Sequence, residues 1–126
     1  MDERNYGSLE ACQRLHAAGI VLETDMRWYK GPGYTRLYES GIKSNLPSVP
    51  APSMAEVWRM LPITHQTKNF GNTPLIMMAE EDGQVVVGYG PIMLCQIVNT
   101  NPTDALIDLL IWTVEQRKEE HHDRQT

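Results

Sequence analysis

Cysteine is scarce in this sequence, phenylalanine occurs once, and there is no long apolar run. The two cysteines, Cys12 and Cys95, are too few and too widely separated for a zinc site built on paired Cys/His ligands. Both sit in apolar contexts, which suits buried free thiols in a reducing compartment; a single disulfide between them is the alternative. No apolar stretch approaches the ~20 residues a bilayer span requires. The N-terminal stretch MDERNYGS has no apolar signal core, so nothing points to export, and a cytoplasmic chain without a membrane partner is expected.

Recognisable catalytic motifs are missing as well. There is no Gly-x-Ser-x-Gly, and neither cysteine has a histidine beside it. Gly88-Tyr89-Gly90-Pro91 is too short for a phosphate-cradling loop, and its proline removes an amide that a phosphate would use. His16, His65, His121 and His122 form no i, i+4 pair with metal-ligand spacing. Glu80-Glu81-Asp82 reads as a solvated turn, because the adjoining strands add no further acids for a metal cage. No catalytic residue, metal ligand or cofactor is therefore assigned, and the chain reads as a non-enzyme.

What is present is enough for one folded domain. The chain has 126 residues, 41% hydrophobic and 21% charged, with a net charge of −5. That balance argues against binding duplex nucleic acid through an overall field, but leaves room for a local basic site. Residues 1–117 are read as a single α+β domain and 118–126 as a polar C-terminal tail that frays.

Local signals set the element order. Ser8 is an N-cap, Leu9, Cys12 and Leu15 recur at helical spacing, and Gly19 suits a helix end, which predicts a helix over 9–18. Val21 to Lys30 alternates, with Leu22, Thr24, Met26 and Trp28 on the face expected to be buried. Gly31-Pro32-Gly33 is the turn, and Tyr34 to Tyr38 the returning strand. Residues 41–52, with three prolines, read as an irregular connection. Ser53-Met54-Ala55-Glu56 is a capping box for a second helix that ends before Pro62. Ile63 to Thr73 is either a loop or a frayed edge strand. Leu75–Ala79 and Val85–Val87 flank an Asp82-Gly83 turn and form a second hairpin. Gly88, Gly90 and Pro91 are expected to interrupt the strand run before Ile92–Val98. Asn101-Pro102-Thr103-Asp104 opens the last helix with an N-cap, a proline in the first turn and an acid beside the helix dipole. The order is α-ββ-α-ββ-α, an antiparallel sheet of two hairpins with three helices on one face.

Three blocks, GSLEACQRLHAAGIVLETD, PAPSMAEVWRMLP and NPTDALIDLLIW, resemble a group of small proteins encoded by bacteriophages and prophages, notably those of gut bacteria. They cover about half the chain and consist of caps, helix faces and one strand. The resemblance implies a setting, the host-cell cytoplasm during infection or lysogeny, and carries over no catalytic residue.

Two stretches stand out beyond that frame. MRWYKGPGYTRLY, residues 26–38, packs four aromatic rings and three cations into one hairpin. Arg27, Trp28, Tyr29, Lys30, Tyr34 and Arg36 are the candidate ligand-binding residues: the rings stack planar groups and the cations pair with phosphates. Against this stands the ordinary preference of strands for aromatic residues. Register decides which of them share a face. A three-residue Gly31–Gly33 loop places Lys30 opposite Tyr34, Trp28 opposite Arg36 and Met26 opposite Tyr38, whereas a one-residue slip brings Leu37 beside Trp28. The second stretch is the last helix, apolar at Leu106, Ile107, Leu109, Leu110, Ile111, Trp112 and Val114. A helix apolar on so many sides is either central or covered by a second subunit, and in a chain this short a homo-oligomer, dimer or larger, is expected; the alternative is that Trp112 covers a loop of its own chain.

Together these readings lead to an anti-defence accessory protein that binds and sequesters a small nucleotide-derived signalling molecule. The alternative is an acidic module that inhibits a host nuclease or defence effector by presenting Glu23, Asp25, Glu39, Glu80, Glu81 and Asp82 in place of phosphates.

Overall fold

A computed structural model describes residues 5–22, 24–31, 33–39, 47–67, 71–90 and 95–125. Side chains at 66–67, 95–96 and 118–125 are not part of that description. The fold is α+β. Its elements run α1 (Leu9–Ala17), β1 (Met26–Gly31), β2 (Tyr34–Glu39), β3 (Ser48–Pro50), α2 (Met54–Met60), β4 (Thr64–Thr67), β5 (Gly71–Ala79), β6 (Val85–Tyr89), β7 (Cys95–Asn99) and α3 (Pro102–Gln125).

The helices begin where the caps place them. The Ser8 hydroxyl accepts from the Ala11 amide, and Gly19, at φ 79°, takes the left-handed conformation that ends the first helix. The Ser53–Glu56 capping box closes in both directions, at 3.2 and 2.8 Å. Asn101 Oδ1 accepts from the amides of Thr103 and Asp104 at the start of α3. The helical backbone of α3 continues to Gln125, through the stretch that the sequence presented as a polar tail.

The strands depart further from expectation. Instead of one sheet of two hairpins there are two antiparallel sheets, ordered β2-β1-β3 and β4-β5-β6-β7. Both expected hairpins are present, β1–β2 and β5–β6, and each sheet adds strands to its hairpin. The connection expected to be irregular contains β3, which lies antiparallel to β1; Lys30 N–H donates to Pro47 O and Ala51 N–H to Met26 O at either end of the pairing. The stretch at 63–73 resolves in favour of a strand, β4, paired with β5. Gly88 does not break β6: it pairs with Ile76 on one side and Gln96 on the other, since a glycine flanked by two strands keeps both ladder hydrogen bonds. At the other end, the first strand starts at Met26, and Val21 is exposed.

Two cores meet across α1. The larger gathers Ala11 and Leu15 of α1, Val57 and Leu61 around α2, Val87 and Tyr89 of β6, and Ala105, Leu106, Ile107, Leu109 and Leu110 of α3. The smaller joins Cys12 to Met26, Leu37 and Ala51 beneath the three-stranded sheet, with Trp28 and Val49 packed at its rim. Consecutive residues, Ala11 and Cys12, thus serve different cores, and α1 is the element shared by both sheets.

Much of the apolar surface of α3 that suggested a second subunit is covered within the chain, while Ile111, Trp112 and Val114 are partly buried. Residues 105–107 and 109 are fully buried, and Trp112 packs against His65 and Tyr89, with ring centroids 5.0 and 6.3 Å away. Polar contacts lock α1 onto this helix. Asp104, 8% exposed, accepts from the Ser8 amide at 2.7 Å, and Arg14 forks onto Asp108 at 2.9 to 3.1 Å. These two contacts differ in weight. Asp104→Ala leaves a part-buried amide unpaired and is expected to cost about 1 to 2 kcal/mol. The half-exposed pair lost in Arg14→Ala is expected to cost about 0.5 kcal/mol. Urea unfolding of both variants checks the ratio.

Candidate functional site

The register of the first hairpin is the slipped one. Gly31 lies opposite Tyr34, so Lys30 faces Thr35, Tyr29 faces Arg36, Trp28 faces Leu37 and Arg27 faces Tyr38. Of the two registers the sequence allowed, the three-residue-loop pairs Lys30–Tyr34, Trp28–Arg36 and Met26–Tyr38 do not form. The reason is the length of the loop: pairing continues through Gly31, leaving two residues between the strands rather than three. Pro32 and Glu23 lie outside the described residues.

Because directly paired residues share a face, this register sorts the candidate cluster in two. Arg27, Tyr29, Tyr34 and Arg36, with Tyr38, Ser48 and Pro50, fall on the face turned away from α1. Trp28 and Lys30 fall on the inner face with Thr35, Leu37 and Val49. The expected set of six is therefore not one site but the contents of two faces.

On the outer face, the rings and cations organise one another. Tyr34 lies across Gly31 so closely that a Cβ there would stand 2.6 Å from the Tyr34 Oη, and any larger residue would have to move the ring. The Arg36 guanidinium sits 6.0 Å from the Tyr34 ring centroid. Arg27 Nε donates to Ser48 Oγ at 2.8 Å, which ties β1 to β3 and leaves the rest of its fork unspent in that bond. Tyr29 is only 2% exposed, its hydroxyl donates to Glu39 O at 3.3 Å, and its ring tilts against Tyr38 with centroids 6.2 Å apart. It is the floor of the face, not a platform for a ligand. The sequence placed Tyr29 on the free side of the strand; the side is right, but the ring is buried. Tyr34 and Arg36 are exposed and Arg27 is half-buried. Among the described residues of this face there is no carboxylate, although the chain as a whole has sixteen acids to eleven basic residues.

The inner face contributes a groove. Trp28, Lys30, Thr35 and Val49 line a cavity of about 290 Å³ together with Leu9 and Gln13 of α1. Trp28 Nε1 donates to Gly7 O at 2.7 Å, which holds the half-buried indole as a wall. No sequence signal joined α1 to the hairpin, since Leu9 and Gln13 carry only a helical spacing. A second groove of about 290 Å³, almost entirely apolar, runs between Met54, Trp58 and Arg59 of α2 and Met77 of β5.

Other sequence candidates are placed as follows. Asp25, Glu39, Glu80, Glu81 and Asp82 are exposed, with Asp82 Oδ1 accepting from the Gln84 amide within the β5–β6 turn. His16 is exposed, and His65 stacks on Tyr89 and Trp112; the side chains of His121 and His122 lie outside the described set. Among the described residues, no three His, Cys, Asp or Glu side chains converge as a metal site, and no helix is long and apolar enough to cross a membrane. No protein family matches the chain, and neither a curated protein nor a solved structure matches it.

Cys12 is a buried free thiol, so the disulfide alternative is not formed. Burial pushes its pKa from 9.0 up to about 12, the Asp104 carboxylate adds to the rise and Arg14 opposes it. A raised pKa means that the folded state holds the proton more tightly. The contribution to stability is whole below pH 9.0 and is lost as pH climbs toward about 12. In a Cys95→Ser background, Cys12 is expected to resist an aromatic disulfide reagent until denaturant unfolds the chain. Cys12→Ala should flatten the alkaline fall in stability; absorbance of the released thiolate and urea midpoints across pH check both.

Proposed function

We propose that the chain is a non-enzymatic binding protein that takes up a small nucleotide-derived molecule on the outer face of the β2-β1-β3 sheet. One observation carries this reading: Arg27, Tyr34 and Arg36 share a face with no carboxylate among its described strand residues, in a chain whose net charge is −5. Arg27 lies opposite Tyr38 and Arg36 opposite Tyr29, two positions along, so the guanidiniums are diagonal neighbours on one surface. Two guanidiniums at that spacing suit a phosphate or diphosphate, which pairs best with planar donor forks. The exposed Tyr34 ring, lying close over Gly31, suits a base. The resemblance of three sequence blocks to phage and prophage proteins supports the setting, sequestration of a host signal, by association alone.

Calorimetric titration with cyclic dinucleotides and with ADP-ribose tests the reading. Binding of at least one of these is expected, with Arg36→Gln raising Kd about tenfold by removing one charge-assisted contact. No heat with either class overturns it.

We also propose that the chain assembles, and that the surface concerned is the outer face of the four-stranded sheet rather than α3. Met78 lies opposite Val86 and Val86 opposite Val98, so the three form one apolar row across β5, β6 and β7, with Met78 and Val98 exposed on either side of the buried Val86. Sedimentation should show a dimer or larger species at micromolar concentration, converted to monomer by the double substitution Met78→Glu, Val98→Glu. A wild-type monomer at that concentration refutes the assembly.

A further inference from the structure

We propose that the groove between α1 and the inner face of the β2-β1-β3 sheet is a second binding site, for a small carboxylate with an aromatic or aliphatic body. It is distinct from the outer-face reading: Trp28, Lys30 and Thr35 lie on the opposite side of the strands from Arg27, Tyr34 and Arg36, and the two sites meet at Ser48, which borders the groove at the sheet edge.

The groove has the form of a small-molecule site, concave and mostly carbon-lined with a few polar groups at fixed places. Leu9, Trp28 and Val49 form its apolar lining, and the cavity of about 290 Å³ suits a compact ligand. Trp28 is held in advance. Its indole N–H is committed to Gly7 O at 2.7 Å, so the ring presents carbon to the groove and no unsatisfied donor. A wall already fixed spares a ligand the cost of ordering it.

Charge selects the ligand class. Lys30 is the one cation in the described lining, and no acid is part of that lining. Among the described residues no carboxylate forms an ion pair with Lys30, whereas Arg14 is paired with Asp108. Thr35 lies directly opposite Lys30 in the strand register, and Gln13 approaches from α1, so neutral hydrogen-bonding groups accompany the ammonium. One ammonium with a hydroxyl and an amide matches a monoanion. A phosphate dianion calls for more positive charge, of the kind found on the outer face. The surrounding carbon requires that the rest of the ligand be apolar.

Naphthoate serves as the probe, with naphthalenemethanol as its neutral counterpart and naphthyl phosphate as its dianionic one. Amide proton–nitrogen correlation spectra of the full chain report where each binds. The expected result is that naphthoate shifts the resonances of Leu9, Gln13, Thr35 and Val49, with affinity about tenfold above that of the alcohol. Lys30→Gln should remove that preference for the carboxylate. Gln13→Trp, a change at an exposed helix position that fills the groove mouth, should abolish binding while leaving the spectrum of a folded protein. Arg36→Gln, on the opposite face, should leave naphthoate binding unchanged while weakening any nucleotide that binds there. Absence of shifts in the groove, equal affinity for alcohol and carboxylate, or tighter binding of naphthyl phosphate would each overturn the proposal.

Discussion

A helix that is apolar on nearly every side must be enclosed, and enclosing α3 is the constraint from which this fold follows. Four-stranded sheet, α2 and α1 are arranged around residues 105–110, which are buried almost without exception. The enclosure also has to satisfy polar groups, and here Asp104 is decisive. Its carboxylate sits at the N-terminal ends of two helices at once, within the first turn of α3 and against the Ser8 amide at the start of α1. The contact fixes where α1 crosses α3. Because α1 divides its residues between the two cores, Ala11 toward one and Cys12 toward the other, it links the three-stranded sheet to α3.

That sheet then acquires two different faces. The inner one is anchored by Met26 and Leu37 on Cys12, and its far end, near the hairpin turn, is only partly filled by α1; the groove beside Trp28 and Lys30 is what remains. The outer one collects guanidiniums and phenol rings with no carboxylate among its described residues. The buried Tyr29 beneath them shows that aromatic content alone is a poor guide to a binding surface. One ring of the cluster is structure, one lies close over a glycine, and one indole is a groove wall. The same short stretch of chain thus supports two chemically distinct proposals because alternation sends neighbouring residues to opposite sides.

Much of the local architecture was legible in the residues. Ser8, the Ser53–Glu56 box and Asn101-Pro102 announce three helix starts, and each cap forms as its side-chain chemistry predicts. Asp82-Gly83 between two apolar runs announces the β5–β6 hairpin. What was misread or left open has a common origin. Residues 48–50 carry no pattern of their own and become a strand only because β1 presents an unsatisfied edge to them. Gly88 looks like a break until strands on both sides supply its partners. The slip at Gly31–Tyr34 changes the partner of every residue in the hairpin, and nothing in the alternation distinguishes the two registers.

The sequence by itself determined the α+β class, the helix starts and the presence of an aromatic, basic hairpin, because caps, turns and periodicity act within a few residues. Only the tertiary structure decided that there are two sheets, that α3 is enclosed by its own chain, and that Arg27, Tyr34 and Arg36 stand on one side with Trp28 and Lys30 on the other. Those outcomes depend on contacts between residues far apart in the chain, such as Ser8 with Asp104 and Gly7 with Trp28, and such contacts leave no trace in local spacing.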